Sequence, residues 1–450
     1  MVASLRVSLR KALLLVICFS LITFLLFTTS TVKVLWFPLG EQLGNKRTVL
    51  EHNEVPETYE SNGNSAVAEW LLTLTSKPHS KENLPKDWYF KGGSRKPKEY
   101  ANDGVHLLPE QADFGDDRIQ KQLMFVPKGY DEFTTPVKNI ILWNGLNAWN
   151  VHSGNAVFEQ CPVSRCSLDT SKSRAMDADA ILFKDSYSSS GFSRPKNQVW
   201  ILYLLECPYH TSNFARLQGV INWTATYRMD SDIVAPYEKW IYYDDNVKEK
   251  SQHKDYAANK TKKVAWFVSN CGAKNHRLAY ATELSKYIQV DIYGACGSFT
   301  CPRSSSQKCF EILNRDYKFY LAFENSNCQD YITEKFFVNG LQHDVIPVVM
   351  GARPSEYEKA APHRSYIHTD NFESPEELAQ YLNQLDNDDE QYNSYFRWKG
   401  TGEFVNTFFW CRLCAMLHAP LPHKVYDDVN EWWRGKNVCT RSSWRKAKEN

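Results

Sequence analysis

The stretch "FYLAFENSNCQDYITEKFF", Phe319 to Phe337, decides how the chain folds because its character changes twice. It opens with a run of apolar and aromatic residues, which is typical of a strand buried on both faces. An acid and an amide, Glu324 and Asn325, end that run abruptly. After a short polar turn, a Thr-Glu-Lys sequence followed by two phenylalanines predicts the start of a helix. The stretch therefore predicts a strand, a turn and a helix, which is the repeating unit of a parallel α/β sheet.

Short apolar runs of the same kind recur on both sides of this stretch. They lie at 137–145, 178–186 and 197–208 in the first half of the chain, and at 263–270, 290–294 and 345–351 in the second half. Between 275 and 288 the apolar residues fall on one helical face, so strands and helices alternate. No G-x-G-x-x-G sequence occurs, which disfavours a dinucleotide-dependent oxidoreductase.

A polar, Lys-rich segment separates the two groups of strands. We therefore predict an α/β fold with two Rossmann-like domains that face a cleft, at 137–245 and 264–450, joined by a linker at 246–263. In open sheets of this type, ligands bind outside the carboxyl ends of the strands. The residues that follow the predicted strands are therefore the candidate site.

The N-terminus predicts a membrane anchor. Residues 12–32 contain no charged side chain, and a helix of that length spans about 30 Å, one bilayer core. Arg6, Arg10 and Lys11 precede it, so residues 1–11 are predicted to stay cytosolic and the rest to be lumenal. The alternative is a cleaved signal peptide, but no A-x-A site follows the apolar run. Residues 33–136, polar and without periodicity, are predicted to form a stem.

Composition and cysteine content are compatible with a lumenal location. The formal net charge is +1, which gives no case for nucleic-acid binding. Aromatic residues make up 14% of the chain, which suits either a sugar-handling protein or a large aromatic core.

Of 12 cysteines, all but Cys18 follow the anchor, and in an oxidising lumen most should form disulfides. A zinc site at Cys411-x-x-Cys414 is disfavoured because no second pair and no histidines at finger spacing accompany it. Asn222 and Asn259 begin N-x-T sequons and are the predicted glycosylation sites.

The opening stretch has two chemical interpretations. In a parallel sheet, Asn325, Tyr331, Glu334 and Lys335 would lie at the mouth of the crevice. There Lys335 can bind phosphate, Glu334 can accept hydrogen bonds from ribose hydroxyls, and Tyr331 can lie against a base or a sugar. The other interpretation is a capped amphipathic helix on the surface, where a Glu-Lys pair is common. Spacing alone does not decide between them.

Three blocks of sequence favour the first interpretation because together they resemble one family. "FYLAFENSNCQDYITEKFF…VIPVVMG" is similar to the signature of the α1,3-fucosyltransferases, inverting enzymes that use GDP-fucose. "INWTATYRMDSDIVAPY" (221–237) and "WFVSNCGAKNHRLAYATEL" (266–284) resemble two further segments of that family, in the expected order. The resemblance implies the two-domain GT-B fold, Golgi localisation as a single-pass type II membrane protein, and GDP-fucose as the donor substrate.

The resemblance also implies roles for particular residues. Arg277 and Lys335 match the basic residues that hold the pyrophosphate, and Asn325, Tyr331 and Glu334 match residues that line the nucleotide-sugar pocket. Glu206, in "LLECPYH", matches the proposed catalytic base, although a strand-end acid paired with a nearby base is the structural alternative. No tightly bound cofactor and no metal site are expected, although Mn²⁺ stimulates some members of the family.

The Asp230-Ser-Asp232 triplet resembles a metal-binding D-x-D, but it lies far in sequence from the donor block. We expect these acids to cap or pair around Arg228 instead.

The acceptor is the least constrained part of the interpretation. "NCGAKNHRLAY", "LLECPYHT" and the Cys161/Cys166 pair are most similar to invertebrate and plant enzymes that modify the innermost GlcNAc of N-glycans. The resemblance therefore favours core α1,3-fucosylation of N-glycan acceptor glycoproteins. A Lewis-type enzyme that acts on lactosamine is the alternative. A catalytically inactive lumenal glycan-binding protein that retains the fold is the alternative from a different class.

Overall fold

The computed structural model describes residues 85–98, 106–113, 115–302 and 306–447, all within one compact unit, Lys81–Asn450. The predicted cytosolic tail at 1–11, the anchor at 12–32 and the sequence up to residue 84 lie outside the described residues. Within the described ranges, no helix has both the length and the apolar character needed to cross a bilayer.

The first half of the unit contains a five-stranded parallel sheet. Its strands are β1 (Lys138–Leu142), β2 (Cys166–Asp169), β3 (Ala180–Lys184), β4 (Val199–Leu204) and β5 (Trp223–Thr226). They lie in the order β2-β1-β3-β4-β5, and every neighbouring pair is parallel. All four residues of β5 and the first four of β3 are buried, as expected for strands covered on both faces.

A second five-stranded parallel sheet follows. Its strands are β7 (Lys262–Phe267), β8 (Val290–Tyr293), β9 (Tyr317–Phe323), β11 (Ile346–Met350) and β12 (Ile367–His368), in the order β12-β11-β9-β7-β8. Strand β9, which opens the stretch quoted above, is central and buried at all seven positions. The prediction of two Rossmann-like parallel sheets is confirmed.

Two short antiparallel pairs accompany these sheets. Strand β6 (Lys239–Tyr242) pairs with β13 (Gly402–Val405), and β10 (Asn327–Cys328) pairs with β14 (Cys439–Thr440). The helices are α1 (Ile119–Leu123), α2 (Arg277–Leu284), α3 (Ser306–Asp316), α4 (Glu334–Phe336), α5 (Pro354–Ala360), α6 (Pro375–Asn387), α7 (Asp389–Ser394), α8 (Phe409–His418), α9 (Val429–Arg434) and α10 (Trp444–Ala447). Helix α4 continues into a π-helical turn, Phe337–Leu341.

The C-terminal segment returns to the first sheet. Helix α8 packs its buried face, which includes Leu413 and Met416, into the same core as β1 and β3. Disulfide Cys161–Cys411 links this helix to the segment before β2, and Cys166–Cys414 links it to the first residue of β2. Three further disulfides, Cys271–Cys296, Cys301–Cys309 and Cys328–Cys439, lie in the second half. The expectation that most of the cysteines after residue 32 form disulfides is confirmed, and among the described cysteines only Cys207 has a free thiol.

The predicted stem at 33–136 extends too far. Leu107, Leu108 and Phe125 are buried in the core beneath the first sheet, each at most 5% exposed. The side chain of Gln122 donates to the carbonyls of Leu107 and Asp232 and accepts from Arg412. This part of the chain lacks periodicity because side-chain hydrogen bonds and isolated buried apolar residues hold most of it in place, and its α-helix among the described residues, α1, has only 5 residues. The described residues from 106 to 136 therefore belong to the folded unit.

Candidate active site

Glu206 lies just beyond the carboxyl end of β4, where Pro208 stops the strand from continuing. Its Oε1 accepts hydrogen bonds from the Tyr331 hydroxyl at 2.6 Å, from the backbone N–H of Cys207 at 3.0 Å and from Asn325 Nδ2 at 3.3 Å. Asn325 and Tyr331 follow β9 of the second sheet. The structure therefore brings together three of the sequence-predicted site residues, from both sheets, at one carboxylate.

These donors keep Glu206 ionised. Burial acts to raise the pKa of its carboxyl group, but the hydrogen bonds from Tyr331, the Cys207 N–H and Asn325 outweigh it, so the pKa lies below the ordinary glutamate value. The Glu206 side chain remains 44% exposed, so an incoming hydroxyl can reach it. An ionised, accessible carboxylate at a strand end has the properties of a general base.

Lys335 is held by two carboxylates at the start of α4. Its Nζ lies 3.0 Å from Glu334 Oε1, 3.2 Å from Glu324 Oε2 and 2.9 Å from Thr333 Oγ1. Burial alone would lower the pKa of this ammonium group, but the charges of Glu324 and Glu334 raise it above the ordinary lysine value. Lys335 is therefore a permanent cation in a fixed position. Glu334, whose side chain is 48% exposed, is the more open of its two carboxylate partners.

Glu324 is the buried carboxylate that supports Lys335 and Thr333. The sequence-based prediction of the site did not include it. It is fully buried, and its carboxylate accepts from the Thr333 N–H at 2.8 Å and from the Thr333 hydroxyl at 2.8 and 2.9 Å. A Cβ on Gly351 would lie 2.6 Å from Glu324 Cγ, so the chain after β11 leaves room for this side chain only because residue 351 is glycine. The signal that could have found Glu324 is an acid placed directly after a fully apolar strand.

Arg277 begins α2 and lies beneath the mouth of the second sheet. Its guanidinium donates to the carbonyl of Phe323, the last residue of β9, at 2.6 Å. It also donates to the carbonyl of Asn270, which follows β7, at 3.1 Å. The residue is 4% exposed, and its buried Nε has no partner among the described residues. Burial lowers its pKa, an effect that Glu324 opposes. Arg277 is thus less open than Glu206 or Glu334, and it ties the two loops that follow β7 and β9.

Tyr237 is another residue that sequence reasoning did not assign to the site. Its hydroxyl donates to the carbonyl of Leu205 at 2.9 Å, next to Glu206. Burial raises the pKa of this phenol, and the charges of Glu334, Glu324 and Glu206 add to the shift. Tyr237 therefore lies among the three acids of the site and stays protonated. It ends the block "INWTATYRMDSDIVAPY", which was the available signal.

The Asp230-Ser-Asp232 triplet is engaged in ion pairs. Asp230 binds the guanidinium of Arg228 through both oxygens, at 2.9 and 2.5 Å, as the sequence predicted. Asp232 is fully buried and binds Lys424 Nζ at 2.7 Å. Both carboxylates thus have cationic partners.

The two predicted glycosylation sites differ. Asn222 is 2% exposed, its Oδ1 accepts from the Trp200 N–H, and its Nδ2 donates to the carbonyl of Lys424. A glycan cannot occupy that nitrogen in the folded chain, so the prediction for Asn222 is wrong: the sequon lies at the start of a buried strand. Asn259 is exposed, in a loop.

Two family descriptions and several known proteins match this chain. The family description "Glycosyltransferase family 10 (fucosyltransferase) C-term" matches residues 257–432, and "Fucosyltransferase, N-terminal" matches residues 135–238. The chain is 58% identical over 381 residues to glycoprotein 3-alpha-L-fucosyltransferase A of Drosophila melanogaster, covering 81% of this chain and 75% of the relative. It is 35% identical over 347 residues to alpha-(1,3)-fucosyltransferase C of the same organism, covering 68% and 79%. The chain belongs to the glycosyltransferase family 10 fucosyltransferases.

A more distant relative and a solved structure complete the comparison. Human 4-galactosyl-N-acetylglucosaminide 3-alpha-L-fucosyltransferase FUT5 is 35% identical over 282 residues, covering 60% of this chain and 72% of the relative. A crystal structure of an alpha1,3-fucosyltransferase with GDP-fucose aligns with a TM-score of 0.42 and 16% identity, covering 71% of this chain and 99% of that one.

Proposed function

We propose that this protein transfers L-fucose from GDP-fucose to O3 of the innermost, Asn-linked GlcNAc of N-glycans, with inversion. The observation that carries the proposal is the meeting of Glu206 with Asn325 and Tyr331. One carboxylate from the first sheet is placed against the donor block of the second. We assign the two sheets to a GT-B arrangement, in which the second sheet binds the donor GDP-fucose and the first sheet binds the acceptor glycan.

The proposed reaction is a single displacement. Glu206 accepts the proton of the GlcNAc O3 hydroxyl as that oxygen forms a bond to C1 of fucose. The bond from C1 to the β-phosphate oxygen breaks, and GDP leaves with the electron pair. No covalent enzyme intermediate is needed, and no cofactor takes part.

The charged residues of the second sheet are assigned to the donor. Lys335 offsets the charge that grows on the leaving GDP, and Arg277 supports the loops that surround the pyrophosphate. Glu334, the more exposed acid, accepts from the ribose hydroxyls, and Tyr331 and Asn325 orient the sugar nucleotide next to the base. This assignment does not require Mn²⁺, because Lys335 supplies a positive charge for the diphosphate.

The choice of acceptor is supported by the comparison of relatives. The relative named a glycoprotein 3-alpha-L-fucosyltransferase is 58% identical, whereas the relative named for galactosyl-N-acetylglucosaminide is 35% identical. The uncharged apolar run at 12–32, with basic residues before it, supports our assignment of the protein to the Golgi membrane, with the catalytic unit lumenal. The exposed Asn259 is the proposed glycosylation site.

The test is transfer by the purified full chain from GDP-fucose to a panel of defined N-glycans, followed by linkage analysis. The expected product carries fucose on O3 of the Asn-linked GlcNAc, and it resists the amidase that tolerates α1,6 but not α1,3 core fucose. Transfer only to free lactosamine would replace this proposal with the Lewis-type alternative. Absence of turnover with every acceptor, by a chain that still binds GDP, would favour a glycan-binding protein.

A further inference from the structure

Three potential metal ligands converge at the turn after β4. Glu206, Cys207 and His210 present a carboxylate, a thiol and an imidazole whose ligand atoms all lie within 4.8 Å of one another. His210 Nδ1 is 3.2 Å from Cys207 Sγ and 3.7 Å from Glu206 Oε1. The short 3-10 helix Pro208–His210 sets this spacing, because its single turn places the His210 imidazole close to Glu206 and Cys207.

These separations suit a bound cation. Zinc lies about 2.3 Å from thiolate sulfur and about 2.0–2.2 Å from imidazole nitrogen or carboxylate oxygen, so tetrahedral geometry places neighbouring ligand atoms roughly 3.3–3.7 Å apart. The separation of 3.7 Å between His210 Nδ1 and Glu206 Oε1 lies at the upper limit of that range, and the separation of 3.2 Å between His210 Nδ1 and Cys207 Sγ lies slightly below its lower limit. The His210 side chain is 31% exposed, so a cation can enter from solvent.

We propose that Glu206, Cys207 and His210 form a binding site for a thiophilic divalent cation such as Zn²⁺, and that its occupation inhibits the enzyme. A set of one sulfur, one nitrogen and one oxygen ligand selects zinc-like cations over Mn²⁺, which prefers oxygen. The inhibitory half of this inference rests on the proposed function, because the cation would occupy the carboxylate assigned as the base.

Binding of the cation exchanges a proton on sulfur for a bond to the metal. The Cys207 thiol donates to Ser326 Oγ at 3.1 Å, so the sulfur carries a proton when no cation is bound. Binding releases that proton to solvent and forms a sulfur–metal bond. The carboxylate of Glu206 then donates a lone pair to the cation, and that lone pair is no longer available to an acceptor hydroxyl.

A second group of potential ligands provides a contrast. Cys166, Cys414 and His418 also lie close together, but both sulfurs belong to the Cys166–Cys414 disulfide and cannot act as thiolates. His418 therefore supplies a matched control: it is a histidine near sulfur that should not contribute to a metal site.

The first test is spectroscopic and independent of turnover. The purified full chain, freed of metal by chelation, is titrated with Co²⁺ as a probe for the zinc site. We expect a sulfur-to-cobalt charge-transfer band and the visible bands of tetrahedral cobalt, both reversed by Zn²⁺. Cys207→Ser should abolish the charge-transfer band, His210→Ala should weaken Co²⁺ binding roughly tenfold or more, comparable to losses known at metal sites, and His418→Ala should change neither.

The second test measures transfer in the presence of Zn²⁺, with each variant scored relative to its own uninhibited rate. Inhibition that EDTA reverses, and that Cys207→Ser and His210→Ala relieve while His418→Ala does not, supports the proposal. Absence of the charge-transfer band, or inhibition that all three variants leave unchanged, overturns it. The band in a chain that proves inactive with every acceptor would support the metal site while rejecting the proposed function.

Discussion

The hydroxyl of Tyr331 donates a 2.6 Å hydrogen bond to Oε1 of Glu206, across 125 positions of sequence. The ring of Tyr331 is buried, and its centroid lies 5.0 Å from that of Tyr227, which follows β5 of the first sheet. The residue from the second sheet is therefore packed against the first sheet while its hydroxyl holds the proposed base. Tyr331 therefore contributes both to the contact between the two sheets and to the hydrogen bonding of the proposed base.

Tyr331→Phe should move the acidic limb of the pH–rate profile upward. Glu206 must be ionised to act, and because its pKa is depressed, activity persists until the pH falls below the ordinary glutamate range. Loss of a hydrogen bond to a charged group costs about 1.5–3 kcal/mol, or about one to two pH units of displacement. The measurement is kcat/KM against pH.

The matched control is Tyr227→Phe, because the Tyr227 hydroxyl is buried without a partner among the described residues. It should leave the acidic limb in place. If Tyr331→Phe also leaves it in place, the 2.6 Å bond does not set the ionisation of the base in solution.

Glu206→Gln should reduce transfer by at least about a hundredfold, since general-base assistance typically contributes 10²- to 10⁴-fold. The amide keeps the size of the side chain but cannot accept the proton. Affinity for GDP, measured by calorimetry, should change little because the proposed donor residues follow strands of the second sheet, whereas Glu206 follows β4 of the first. Near-normal transfer by this variant would make Glu206 a structural strand-end acid.

Asp330→Asn should stabilise the fold increasingly as the pH rises. Burial, with help from Glu356, raises the pKa of Asp330 to about 7. Between the ordinary aspartate value of about 4 and pH 7, the folded chain therefore holds a proton that the unfolded chain has lost, so stability falls as pH rises. Asparagine can still accept from the Met229 N–H, 3.0 Å from Asp330 Oδ2, and it tolerates the positive φ of 55°.

The measurement is Tm for wild type and variant from pH 5 to pH 8. The gain in Tm should be small at pH 5 and largest at pH 8. The exposed Asp245, changed to Asn, is the control for the removal of one surface carboxylate, and it should change Tm little. A gain for Asp330→Asn that is equally large at pH 5 would contradict the assigned cause.

The elements of the fold were predictable because burial on both faces leaves continuous apolar runs. Strand β9 is one such run, and the sequence predicted it and the helix after it from the pattern alone. The region before β1 was not predictable in this way. Arg118, for instance, donates hydrogen bonds to the carbonyls of Met229 and Ser231. These residues are more than a hundred positions away, so no local sequence pattern predicts the contact.

Within the candidate site, the sequence indicated the residues to which we assign function, but not the residues that support them. Asn325 and Tyr331 stand in a polar interruption between apolar segments, so their position at a strand end could be inferred. Glu324 stands in the same interruption, yet it is fully buried. A charged residue is normally taken as exposed, and only the three-dimensional placement of Thr333 and Lys335 shows what compensates its burial.

Glu324→Gln should weaken GDP binding through Lys335. The carboxylate lies 3.2 Å from Lys335 Nζ and holds the ammonium at the start of α4. Glutamine is similar in size but neutral, so Lys335 loses the buried charge that fixes its position and raises its pKa. We expect GDP affinity to fall roughly tenfold or more, equivalent to about 1.4 kcal/mol.

A double-mutant cycle separates positioning from a merely structural role. Lys335→Ala removes the ammonium and leaves the carboxylate of Glu324 buried with one cationic partner fewer, so it should cost about 3–5 kcal/mol of stability. Adding Glu324→Gln to that variant should recover part of the stability, because the unpaired charge is gone. It should cost no further GDP affinity, because the residue through which Glu324 acts is already absent. The measurements are the Kd for GDP by calorimetry and Tm for the four chains. If the losses in GDP affinity are additive, Glu324 acts on the donor site by another route, with Thr333 as the next residue to test.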